Sequence, residues 1–181
     1  MAESLTVPKE ITFQQAIEVT QSLMGQMEQG ELTEAEIASI ITQLVRSENG
    51  ARGFFVTYLT DDRPFADQPS PAVIEALQSS PEVVSELLVK NLAMSTGMAI
   101  AHRRNENEAM AQGSDRVQRR TIHLIELTQL SEVAEKAQKL HESTVTGQGD
   151  YQAFLDRWGY DAEQRQSIQL AVKQVVRETL D

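Results

Sequence analysis

A chain of 181 residues, 40% hydrophobic and 24% charged, suits one domain with its own hydrophobic core and is too apolar for disorder. It holds no cysteine, which excludes disulfides, thiolate metal sites, iron–sulfur clusters and cysteine nucleophiles. The net charge of −11 repels phosphate backbones, so nucleic acid is not an expected partner.

Residues 1–10 carry neither an apolar core nor a basic start and read as a flexible N-terminus, not a signal peptide. Thr12-Phe13-Gln14-Gln15 is a capping box, in which the threonine accepts from the backbone and the glutamine reaches back. Phe13, Ala16, Ile17, Leu23, Met24 and Met27 then recur mostly at helical spacing, and Gly30 is the expected stop. A second box, Thr33-Glu34-Ala35-Glu36, opens the next helix. Ile37, Ile40, Ile41, Leu44 and Val45 form its buried stripe, with Asn49-Gly50 as its expected end. The short connection predicts an antiparallel hairpin.

Gly53 to Thr60 favours a strand by propensity, through Phe54, Phe55, Val56, Tyr58 and Leu59. No second strand candidate exists to pair with it, so a short helix is predicted, followed by a loop from Asp61 to Gln68. Ser70-Pro71 and Ser80-Pro81 both place proline at a first helical position, where its missing N–H costs nothing. The first should open a helix to Gln78 and the second a long one to Arg104. Asn105 to Gly113 reads as a polar break, and Ser114 or Asp115 as the start of another long helix to His141. After a loop over Thr144–Gly149, Asp150 should cap a short helix ending at Gly159. Asp161 and Gln164 should cap the last one, to Leu180.

The prediction is an all-α, single-domain bundle over 1–181. It has seven or eight helices, an N-terminal hairpin and two long central helices near 81–104 and 115–141. The most apolar window, Val83 to Ala101, is interrupted by Glu86 and Lys90, so no membrane span is expected and a cytoplasmic protein is.

Motifs for catalysis are missing. The positions three before His102, His123 and His141 are Ala99, Arg120 and Gln138, so the Glu-x-x-His pair of a helical di-metal site is not there. Nor is there a nucleophile elbow, a phosphate loop or a dinucleotide fingerprint. No catalytic residue, metal or cofactor is assigned. Asp61, Asp62 and Asp67 surround Arg63-Pro64-Phe65 and either ligate a hard cation or accept backbone bonds in a turn. This region, with Phe54, Phe55, Tyr58 and Phe65, is the densest in aromatic residues.

Positive charge collects elsewhere. Arg103 and Arg104 close one predicted helix, where cations suit the macrodipole. Arg116, Arg119 and Arg120 share a face near the predicted start of the next, where cations oppose it and need an offset. Glu106, Glu108 and Asp115 could supply that offset, or an anionic ligand or an acidic partner could. Ala93, Gly97 and Ala101 repeat every four residues between Met94 and Met98. That row allows either a close crossing inside the monomer, a homodimer face or a ligand slot.

The stretch Glu48-Asn49-Gly50-Ala51-Arg52-Gly53-Phe54-Phe55-Val56-Thr57-Tyr58-Leu59-Thr60-Asp61 resembles small uncharacterised helical proteins of cyanobacteria, a likeness that implies no activity. Gly30-Glu31-Leu32-Thr33 between two amphipathic helices resembles the helical N-terminal domain of anthranilate phosphoribosyltransferase-like proteins. That likeness implies a helical hairpin, and the phosphate-binding glycines of that family are missing. The function expected first is a non-catalytic interaction or regulatory protein, self-associating or bound to another protein. The alternative is an anionic-ligand binder or enzyme using Tyr58, Phe65 and the arginines at 103–120. A helical metal–carboxylate protein is a third reading.

Overall fold

Both threonine boxes form. In the computed structural model, which describes residues 4–180 and side chains to Val176, Thr12 accepts from the Gln15 amide at 3.1 Å and Gln15 from the Thr12 amide at 2.9 Å. Helix α1 runs Phe13–Gln29 and stops on Gly30, whose φ of 68° is left-handed. Thr33 and Glu36 repeat the exchange for α2, Glu34–Leu44. Of the tail expected to be flexible, residues 1–3 lie outside the described residues. The stretch from 4 to 12 is not helical, and Ile11 is buried.

Helix α2 ends earlier than Asn49-Gly50. Ser47 accepts from the Gly50 amide at 3.1 Å and starts α3, Glu48–Thr60. Gly50 therefore lies in a first turn and is no stop. A Cβ there would stand 2.0 Å from the Leu44 carbonyl oxygen, so glycine is set by the approach of two backbones. The helical prediction for Gly53–Thr60 holds, and the strand propensity is overridden. Phe54, Phe55, Tyr58 and Leu59 fall on one helical face and are all buried. A short 3-10 turn over Pro64–Ala66 follows, and the Tyr58 hydroxyl donates to the Phe65 carbonyl at 2.7 Å. Helices α4, Pro71–Gln78, and α5, Pro81–Arg104, keep their expected bounds.

The second half departs more. Asn107 accepts from the Met110 amide at 3.2 Å and opens α6, Glu108–Thr128, so the break expected over 105–113 is three residues long. Asparagine caps as well as serine or aspartate. The helix expected to run on to His141 is divided at Gln129, which takes φ 47° with no glycine to announce it. Helix α7 is Ser131–Thr146, ended by Gly147. Helix α8, Gln152–Trp158, starts from Tyr151 and not Asp150. Helix α9, Ala162–Leu180, opens on the predicted Asp161–Gln164 box, with both bonds at 3.0 Å. The described residues thus form an all-α protein of nine α-helices, with the last two near their expected places.

The helices gather in two compact units, 1–87 and 88–181, with the division falling inside α5. In the first, α3 runs parallel to α1. Gly53 lies against Ala16 near one end, and Arg63 reaches Glu28 at 2.9 Å near the other. Helix α4 packs on α2. Leu23, Met24, Ile41, Leu44, Phe54, Phe55 and Tyr58 are among its fully buried side chains. In the second unit α7 lies along α9, with Val133, Leu140, Ile168 and Val172 buried. Gly97 admits the Tyr160 ring, because a Cβ there would be 2.5 Å from Tyr160 Cε1. Gln164 donates to the Gly97 carbonyl at 3.1 Å. Helix α5 is long and apolar enough to cross a membrane by composition, but most of its apolar stretch is buried within the protein, as in a core helix.

The division separates the charge. Residues 1–87 hold fourteen acids against four bases, and residues 88–181 thirteen against twelve.

Candidate functional site

The arginines at the end of α5 have carboxylate partners within the second unit. Arg103 donates from Nη2 to Asp115 at 2.6 Å and to Glu108 at 3.2 Å, and from Nη1 to Asp115 at 3.3 Å. Arg104 forks onto Asp161 and Glu163. The conflict expected for Arg116, Arg119 and Arg120 disappears because α6 begins at Glu108. The three arginines lie past its second turn, and an acid occupies its first. Arg120 is buried and Arg119 exposed.

The Arg103 hydrogen bonds lower the Asp115 pKa, and the Arg104 bonds, followed by the Gln164 amide, lower that of Asp161. A carboxylate whose pKa is lower folded than unfolded stabilises the fold when ionised. That stabilisation is complete above about pH 4 to 5 and is lost as pH falls through the lowered values. A thermal midpoint measured at about pH 3 should lie below that at pH 7, and Arg104→Gln should narrow the gap.

Tyr58 and Phe65 belong to the first unit and are joined by the bond from the Tyr58 hydroxyl. Tyr58 also stacks on Phe54 with centroids 5.0 Å apart. Of the two roles open to it, Asp61 takes that of a turn acceptor. Its carboxylate accepts from the Arg63 amide at 2.9 Å, from Nε at 2.8 Å and from Nη2 at 2.9 Å. Of the small-residue row, Gly97 is filled by Tyr160 and Ala93 is buried. Ala101 and Met94 are half-buried, and Met98 is exposed. Among the described residues no three His, Asp or Glu side chains converge as metal ligands.

The structure adds a feature the motifs did not reveal. At Gly53 a Cβ would stand 2.3 Å from Ala16 Cβ and 2.9 Å from the Phe13 carbonyl oxygen, so α1 and α3 touch backbone to backbone. Their flanking side chains then bound an open groove of about 410 Å³. Ile17 and Gln21 form one wall, Val56, Thr57 and Thr60 the other, and Asp61 and Asp62 line the end. Thr57 donates to the Gly53 carbonyl at 2.9 Å and Thr60 to Val56 at 2.6 Å, so these hydroxyls are committed to their own helix. Val56 is 45% exposed. Phe13, 37% exposed, lies one helical turn before Ile17 with the Arg52 guanidinium over its ring at 4.9 Å. One sequence signal could have found the groove: Val56 is a large apolar residue out of phase with the buried face at 54, 55, 58 and 59.

Neither the comparison with curated proteins nor that with solved structures returns a match. The profile of the family described as "Uncharacterised conserved protein UCP020893" matches residues 12–175. That span starts at the Thr12 cap and reaches into α9, and the chain belongs to this family.

Proposed function

We propose that this protein is a non-catalytic interaction protein whose acidic first unit binds a basic segment of another protein. The observation that carries this reading is the placement of charge: fourteen acids against four bases in residues 1–87, against near balance in the remainder. Helices α1, α2 and α3 have no base in their last turns, so their negative ends add to that field. Such a field steers cationic partners and rejects acidic ones. A second copy of the chain offers no basic surplus to match it, which favours a different protein as partner. At Arg103 and Arg104 an anion would have to displace carboxylates already seated, so the ligand reading has less support at those two positions.

The test is a calorimetric titration of the full chain with a peptide of about sixteen residues, leucines at helical spacing and lysines elsewhere. Its leucine–glutamate counterpart is the control. The basic peptide should bind, with affinity falling at least about tenfold between roughly 0.05 and 0.3 M salt. The acidic peptide should not bind. No binding of the basic peptide, or equal binding of both, contradicts the proposal.

A further inference from the structure

The acidic field does not say where on the first unit a partner sits. The groove between α1 and α3 does, and we infer that it docks one amphipathic segment of a basic protein. Apolar side chains of that segment would lie on Ile17 and Val56, with a lysine or arginine at the Asp62 end. This inference rests on the reading of the first unit as a binder of basic protein.

Three observations select this occupant. The first is the surface itself. Val56 is 45% exposed at the middle of α3, and Ile17 stands opposite it across the groove. The hydroxyl protons of Thr57 and Thr60 are donated within their own helix, so Ile17 and Val56 supply an apolar strip, bordered by the polar side chain of Gln21. The second is the charge at one end. Asp61 and Asp62 line it, and Arg63, bonded to Asp61, reaches Glu28 beside it, three acids to one base. The last turn of α3 carries no base, so its carbonyl end adds negative potential at the same place. An apolar strip running into a negative end complements a segment with an apolar stripe and a cation at one terminus. The third is rigidity. The helices are in backbone contact at Gly53 and Ala16, and Arg63 ties the end of α3 to Glu28 on α1, so the groove is formed before anything binds.

The experiment follows amide shifts of the ¹⁵N-labelled full chain during titration with the same leucine–lysine peptide. Two variants are compared with the wild type. Val56→Arg fills the groove with a cation at an exposed helical position, and circular dichroism checks that it stays folded. Glu75→Gln makes the same change in net charge at an exposed position on α4. The expected result is shifts centred on Ile17, Gln21, Val56, Thr57 and Thr60. Affinity should fall at least about tenfold in Val56→Arg and by less than about twofold in Glu75→Gln. If Val56→Arg binds the peptide as tightly as wild type, the groove is not the docking site, while the acidic-unit reading stands. If the wild type binds no peptide, both fall. If the same amides shift when the protein alone is concentrated, a second copy is the occupant and the inference is overturned.

Discussion

Gly53→Ala is expected to destabilise the protein, although helix propensity predicts the opposite. In an open helix the change should stabilise by about 1 kcal/mol, since alanine is the better helix former. At Gly53 the added Cβ meets Ala16 Cβ at 2.3 Å, the Phe13 carbonyl oxygen at 2.9 Å and the Ala16 carbonyl carbon at 3.0 Å. Two of these are backbone atoms held by α1, so the helices must separate. Overpacking of this kind costs about 1–3 kcal/mol, which outweighs the propensity gain. Gly25→Ala is the matched control. Gly25 also lies inside a helix, but nothing stands within 4 Å of its built Cβ, so that variant should be as stable as wild type or more so. Urea denaturation followed by circular dichroism reads both. A Gly53→Ala variant as stable as Gly25→Ala would mean that the close crossing does not exist.

A larger loss is expected from Phe54→Ala. Phe54 is fully buried, stacked on Tyr58 at 5.0 Å and edge-on to Phe55 at 5.3 Å. Removing a buried phenyl ring costs about 3–5 kcal/mol, through lost burial and the cavity left behind. That is a large share of the 5–15 kcal/mol typical of a whole domain. The same denaturation series should show the midpoint falling further than in Gly53→Ala. Val56→Ala, two residues along and 45% exposed, should change it little. A similar loss at both positions would contradict the assignment of the buried face.

These variants separate what the sequence makes legible from what it hides. The caps at Thr12, Thr33 and Asp161 are local, since each bond spans three residues. The pattern alone therefore places them. Proline at 71 and 81 acts locally too, and both helices begin where it predicts. The glycines at 50 and 53 act at a distance. Gly53 answers to Ala16, far back in the chain, and no pattern around it names that neighbour. Gly50 looked like a stop for the same reason. Gln129 hides differently, because it takes a left-handed conformation that its residue type does not advertise, and so the expected helix to His141 is divided. The arginines at 103 and 104 were legible as a cluster, and Arg103 finds its carboxylates nearby at 108 and 115, but those of Arg104, at 161 and 163, lie nearly sixty residues on. The groove was the least legible feature, because it exists only where α1 and α3 cross.

The central claim is that function resides in where the negative charge lies, and not in how much there is. It is tested most directly by two triple variants of equal net charge. One carries lysine in place of Glu10, Glu18 and Glu31, and the other in place of Glu126, Glu142 and Asp150. All six positions are exposed. Calorimetric titration of each with the leucine–lysine peptide should show binding weakened at least about tenfold in the first and by less than about threefold in the second. Equal weakening in both, or greater weakening in the second, would contradict the account.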